Sequence, residues 1–210
     1  MDLLERADAL ADLQRLLAET SGGGRIAVVC GEAGAGKSAL AQAFAASAAG
    51  RVQLLWGSCD PLLTPRALGP LHDIARQAGG ELRDRMARLH VDGPDGAAEP
   101  GRVVRGDVFE ALLEMLTGPR QRARPVVVIE DLHWADEATL DMVAFLGRRL
   151  PQCRALLLLT YRDDEIGPDH QLRGVLAGLP RPAVHRLGLP PLSAAAVAEL
   201  ARRAGRSATS

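Results

Sequence analysis

The sequence predicts a doubly wound α/β fold, a mainly parallel five-stranded sheet flanked by helices. Apolar runs at 25–30, 52–56, 126–129 and 155–160, with a weaker one at 184–189, have strand length. They lack the in-out alternation of a one-sided sheet, so each suits a strand buried on both faces. Between them lie segments with helical spacing, at 67–77, 103–116 and 137–150. Strands alternating with helices build a parallel sheet with helices on both sides. The first apolar run also opens directly onto Gly31-Glu32-Ala33-Gly34-Ala35-Gly36-Lys37-Ser38, which fits G-x-x-x-x-G-K-[ST] at every defined position.

The elements follow in order. Apolar residues at 3, 4, 7, 10, 13, 16 and 17 form a helical stripe, ended by Ser21-Gly22-Gly23-Gly24. After the first strand and the glycine-rich loop, 39–49 is alanine-rich and free of Gly and Pro, so a helix follows. Segment 79–101 is polar, with Gly, Pro and Asp near its end, and reads as a partly helical, mobile excursion between the second and third strands. Beyond Pro190-Pro191, Ser193 caps an expected helix over 194–204. We therefore expect a core over 1–189, and over 190–210 the start of a helical lid that is cut short.

Composition narrows the class. A chain of 210 residues holds one sizeable α/β domain, or a domain and a fragment of a second. A formal net charge of −1 with no long basic run gives no electrostatic basis for capturing DNA or a membrane surface. Cys30, Cys59 and Cys153 are odd in number and far apart, which is neither a disulfide framework nor a metal site. The N-terminus has no secretory pattern and no apolar run spans a bilayer, so a cytoplasmic location is the default expectation.

Lys37 is the only lysine, and the other 24 of the 25 permanent cations are arginines. An ammonium is a compact, rotatable point charge that fits between phosphate oxygens, where a guanidinium is a wide planar fork. Gly31, Gly34 and Gly36 would let the loop curl so that backbone N–H groups point inward. The helix opening at Ala39 adds the positive end of its dipole. Residues Gly31, Glu32, Ala33, Gly34, Ala35, Gly36, Lys37, Ser38 and Ala39 are thus the expected phosphate cradle of a P-loop NTPase. Lys37 would reach the β- and γ-phosphates and the Ser38 hydroxyl would be a ligand of Mg²⁺.

The run at 126–129 ends in Glu130-Asp131, the Walker B pattern of acids at the carboxyl end of a buried strand. By position Glu130 is the metal-side acid and Asp131 the candidate base, with the division between them open. The alternative is an acidic pair capping the turn that runs on through Leu132-His133-Trp134-Ala135-Asp136. The fourth strand ends in Thr160-Tyr161-Arg162. Arg162 can stabilise charge on the γ-phosphate, or it can pair with Asp163, Asp164 or Glu165 as a solvated ion cluster. His133 reads as a turn residue and Trp134 as core packing. A P-loop kinase is a further alternative, but the Arg-dense stretch 120–124 precedes the Walker B strand, where an arginine-bearing lid would be misplaced.

Together these motifs resemble the AAA-type ATPase module of STAND signal-transduction ATPases, most of all that of large ATP-binding LuxR-type transcriptional regulators. Glu130-Asp131-Leu132-His133-Trp134-Ala135-Asp136, Thr160-Tyr161-Arg162 and the phosphate loop carry the likeness. Leu3-Leu4-Glu5-Arg6, Gly57-Ser58-Cys59-Asp60-Pro61-Leu62 and Pro65-Arg66-Ala67-Leu68-Gly69-Pro70-Leu71 extend it. The resemblance implies a sheet in which the sensor strand separates the Walker B strand from the phosphate-loop strand. It implies ATP with Mg²⁺, and it places Leu4 to Arg6 near the adenine, which makes Arg6 a nucleotide-site candidate. The functional expectation is an ATP-dependent switch with slow hydrolysis, the alternative a nucleotide-binding module without turnover. A protein partner or self-association fits a switch, and the DNA-binding part of such regulators is not in this chain.

Overall fold

A computed structural model describes residues 3–62, 66–89, 103–118, 123–203 and 205. Five parallel strands form one sheet: β1 (Arg25–Cys30), β2 (Val52–Ser58), β3 (Arg124–Glu130), β4 (Leu156–Tyr161) and β5 (Val184–Gly188). Their order across the sheet is β2-β3-β4-β1-β5. The Walker B strand β3 is thus separated from the phosphate-loop strand β1 by β4, as the sequence resemblance implies. Register aligns the carboxyl ends, with Cys30 opposite Tyr161 and Ser58 opposite Glu130.

Helices cover both faces. On one face Val126, Val128, Leu156 and Leu158 pack with α1 (Ala7–Glu19) and α2 (Lys37–Ala48), through Leu13, Leu16, Leu40 and Phe44. On the other, Val127, Ile129, Leu157 and Leu159 meet a larger layer. That layer contains α3 (Gly69–Ala78), α4 (Gly80–Arg88), α5 (Arg105–Thr117), α6 (Glu137–Arg149) and α7 (Gln171–Ala177). Alternate residues of each central strand go to opposite cores, which is why these strands read as unbroken apolar runs.

Differences from expectation are local. The first helix starts at Ala7 rather than residue 3, because Glu5 has φ 56° and turns the chain out of the helical path. The segment 79–101 contains an ordered helix, α4, whose Leu82 and Met86 join the core; residues 90–102 lie outside the described ones, as does Pro65. Helix α7 is absent from the sequence expectation, being only 7 residues long with Gly174 inside it. Arg124 is the first residue of β3 rather than part of a solvated loop, and its guanidinium donates to the carbonyls of Leu17 and Ala18 at the end of α1. Residues 119–122 lie outside the description. Ser193 does cap α8 (Ala194–Arg203), its hydroxyl accepting from the Ala196 N–H at 3.1 Å; residues 206–210 are not described.

Candidate nucleotide site

The loop after β1 curls as its glycines require. Gly34 and Gly36 take φ 77° and 84°, which an L side chain rarely adopts. Gly31 is fixed by space, since a Cβ there would come within 2.5 Å of the Leu189 carbonyl oxygen. Helix α2 begins at Lys37 itself, two residues earlier than the alanine run suggests. The Lys37 side chain is buried at the sheet's carboxyl end, and its ammonium donates to the carbonyls of Gly31 (2.7 Å) and Glu32 (2.9 Å). Burial lowers its pKa and the Arg162 charge lowers it further, against the opposing pull of Asp131, Asp164 and Asp163. These electrostatic partners come from the ends of β3 and β4. Asp131 and Arg162, both singled out in the sequence, therefore lie close enough to the phosphate-loop lysine to act on its charge.

Glu130 ends β3 as a buried carboxylate. Its Oε2 accepts from the Trp56 indole N–H at 2.9 Å, while Oε1 is buried with no hydrogen-bond partner among the described residues. A buried carboxylate oxygen left without a donor can be met by a cation or by a water. Among the described residues no cluster of three or more metal-ligating side chains occurs. Mg²⁺ does not need one, because it takes one or two protein oxygens and fills its shell with water and phosphate. The Glu130 carboxylate and the Ser38 hydroxyl are hard oxygen donors of that kind, so the residues present fit the ion.

Asp131 stands at φ 57°, a left-handed conformation that Asp tolerates better than most residues. The buried Thr160 props it there, its Oγ1 accepting the Asp131 backbone N–H at 3.0 Å. The turn beyond is closed elsewhere. Asp136 caps α6, accepting from the Thr139 N–H at 3.1 Å and from the Thr139 hydroxyl, and also takes the Leu68 N–H at 3.2 Å. Asp131 opens the turn Leu132–Trp134 through its backbone carbonyl, which accepts the Trp134 N–H at 2.9 Å, and its carboxylate makes no side-chain cap there.

His133 is buried within that turn; burial lowers its pKa, outweighing the pull of Asp131 and Glu165. Its Nδ1 accepts the Arg162 backbone N–H at 3.4 Å. The Arg162 guanidinium lies 4.9 Å from the Trp134 ring centroid and is ion-paired with Glu165, one of the three partners named from sequence. Trp134 packs partly against the core, as expected, and also carries this cation on its face.

Arg6 is buried and bridges two parts of the chain. Its Nε and Nη2 donate to the Ala35 carbonyl (3.3 and 3.0 Å), Nη2 also to Pro190 (2.6 Å), and Nη1 to Glu5 (2.8 Å). The next link is the Glu5 carboxylate, which accepts from the backbone N–H of Ser193 at 2.9 Å and from its hydroxyl. The Glu5-Arg6 pair thus ties the phosphate loop to the segment leading into α8. Sequence reasoning missed Trp56, and Thr160 as a prop; only the strand order brings Trp56 beside Glu130.

A curled glycine loop between a buried strand and a helix, facing acids from the second strand over, defines a phosphate-loop NTPase domain. The chain belongs to the AAA ATPase domain family, whose sequence profile matches residues 2–159. No curated protein matches. Among solved structures, Cdc6p from Pyrobaculum aerophilum is similar at 16% identity and TM-score 0.60 over 95% of this chain and 48% of that one. A Walker-type ATPase of Pyrococcus abyssi aligns at 14% identity and TM-score 0.57, over 99% and 61%. The Drosophila ORC, solved bound to DNA, aligns at 16% and 0.57, over 93% and 45%. At such identities the likeness is one of fold. The chain spans 45–61% of the length of these three structures.

Proposed function

We propose that the domain binds ATP with Mg²⁺ and hydrolyses it slowly, as a nucleotide switch. The observation that carries this is the placement of Lys37, with Arg162 and Asp131 among its electrostatic partners, at the carboxyl end of one parallel sheet. Lys37 exchanges the Gly31 and Glu32 carbonyls for β- and γ-phosphate oxygens, and the loop N–H groups donate to the remaining phosphate oxygens. Ser38 and Glu130 hold Mg²⁺, which when bound neutralises phosphate charge. The orphaned Glu130 Oε1 supports giving this acid the metal side. Asp131, with its backbone held by Thr160 and its side chain 26% exposed, suits the proton acceptor for an attacking water. Arg162 stabilises charge on the equatorial oxygens. Arg6 contributes by holding the Ala35 end of the loop, and 190–210 serves as the start of a helical lid.

Service in signalling or transcriptional regulation, as in the STAND and LuxR-type ATPases, is proposed from the sequence resemblance. So are a cytoplasmic setting and a protein partner or a second copy of the chain; among the described residues no helix is long and apolar enough to cross a membrane. The proposal includes no DNA contact by this chain. Two variants test the core of it. Lys37→Ala abolishes ATP binding at sub-millimolar concentration, and unchanged affinity refutes the site. Asp131→Asn keeps binding but abolishes single-turnover phosphate release; a wild-type protein that binds ATP and releases no phosphate is the non-hydrolysing module instead.

A further inference from the structure

Glu165 sits between two donors. One oxygen, Oε1, is ion-paired with the Arg162 guanidinium. The other, Oε2, lies 3.5 Å from His133 Nε2, too poorly aligned for a hydrogen bond. The state of that histidine follows from its other nitrogen. Because Nδ1 accepts the Arg162 backbone N–H, a neutral ring carries its proton on Nε2. Burial favours this neutral form. His133 therefore holds a buried N–H near Glu165, and no described group satisfies it. The unpartnered His133 Nε2–H thus lies within reach of a carboxylate already engaged by another donor.

We propose that Glu165 sets the discrimination between ATP and ADP by competing with the γ-phosphate for Arg162. The proposal rests on the phosphate-facing role of Arg162 given above. A γ-phosphate draws the guanidinium off Glu165, and the freed carboxylate closes onto the His133 Nε2–H. ADP offers no γ-phosphate, so with ADP the Arg162–Glu165 pair stays whole. ATP binding must break this contact and ADP binding need not, so Glu165 lowers ATP affinity selectively. The effect is modest. Arg162 and Glu165 side chains are 29% and 36% exposed, and half-exposed ion pairs are weak. The gain of the His133 contact offsets part of the loss, while stacking on Trp134 guides the guanidinium whichever partner it takes.

The test is the ratio of ATP to ADP affinity, measured with the intact chain and Mg²⁺ by displacement of a fluorescent nucleotide. Glu165→Gln should raise the ratio about two- to fivefold through tighter ATP, with ADP unchanged. In an Arg162→Ala background the same substitution should change nothing. Asp164→Asn removes an equal charge from the same segment and should move the ratio less. An equal shift in Asp164→Asn, an effect that persists without Arg162, or parallel changes for both nucleotides would overturn the proposal. If Arg162→Ala alone leaves the ratio at the wild-type value, the phosphate-facing role of Arg162 fails first and the competition falls with it. A second readout is direct: the His133 Nε2–H proton resonance should move downfield with a non-hydrolysable ATP analogue and not with ADP. A resonance that responds alike to both refutes the exchange.

Discussion

Arg6→Ala separates a clamp from a nucleotide contact. In the wild-type protein Arg6 is 4% exposed and donates to Ala35 and Pro190, residues 29 and 184 positions away. Truncation leaves both carbonyls without those donors. An unsatisfied buried group costs about 1–3 kcal/mol. The Ala35 contact is buried and takes a full share; the Pro190 contact is part-buried, so water recovers some of its share. The sum is about 3 kcal/mol, large against a total stability of about 5–15 kcal/mol. For a chain of this size that lowers Tm by about 6–12 °C. Thermal or urea unfolding of the nucleotide-free protein measures it. Arg6→Lys should recover less than half, since an ammonium cannot span both carbonyls. If Arg6→Ala keeps the wild-type Tm and loses only ATP affinity, the guanidinium acts on the nucleotide and the clamp argument is wrong.

Lys37→Arg should weaken ATP binding and turnover although charge is kept, because a planar fork cannot replace an ammonium between loop carbonyls and phosphates; wild-type turnover would refute it. Trp56→Phe keeps the ring but removes the donor to Glu130 Oε2, freeing the carboxylate to rotate. The Mg²⁺ concentration supporting half-maximal ATP binding should rise about tenfold, the lower range for groups that orient a metal ligand. An unchanged Mg²⁺ dependence removes Trp56 from the site. Stability should also fall on acidification. His133 and His72 both titrate below their ordinary value of 6.5 in the folded chain, burial being the main cause. The unfolded state then binds more protons as pH drops through 6.5, and stability declines by up to about 1.4 kcal/mol per pH unit for each proton taken up. Denaturation at pH 7.5 and 5.5 checks the sign, and His72→Gln should shrink the difference.

The phosphate loop was legible because its chemistry is local. Gly31, Gly34, Gly36 and Lys37 lie within seven consecutive positions, and the backbone conformations they permit are the ones found. The strands were legible for a related reason: two-sided burial leaves unbroken apolar runs, and each central strand does feed both cores. Helix boundaries were less so. Glu5 at φ 56° breaks a hydrophobic stripe that continues on paper, since the Glu5 carboxylate meets Ser193 and the Arg6 side chain meets Pro190. Trp56 was unreadable for a different reason. Its hydrogen bond to Glu130 depends on β2 lying beside β3 in a register that sets Ser58 against Glu130, and residue spacing says nothing about which strands are neighbours. Trp134 shows how one side chain serves twice, packing on the core while its outer face holds Arg162.

The cations of the site already have partners within the chain, and that shapes what nucleotide binding can gain. Lys37 donates to Gly31 and Glu32, while Arg162 is paired with Glu165. A phosphate entering the cleft does not meet free charges; it exchanges bonds, and its affinity reports a difference between two sets of contacts. Lysine suits that exchange better than arginine. Its ammonium turns on a flexible stem from carbonyl oxygen to phosphate oxygen without the chain moving, whereas a fork bonded to two carbonyls must break both together. The same reasoning divides the two cations by task. Lys37 is buried and bound by carbonyls of its own loop, so on the proposed reading its exchange accompanies every bound phosphate. Arg162 is held by Glu165 from outside the loop, so on the same proposed reading its exchange requires the γ-phosphate. On the proposed reading, binding as such falls to Lys37, and telling a triphosphate from a diphosphate falls to Arg162 and its competitor.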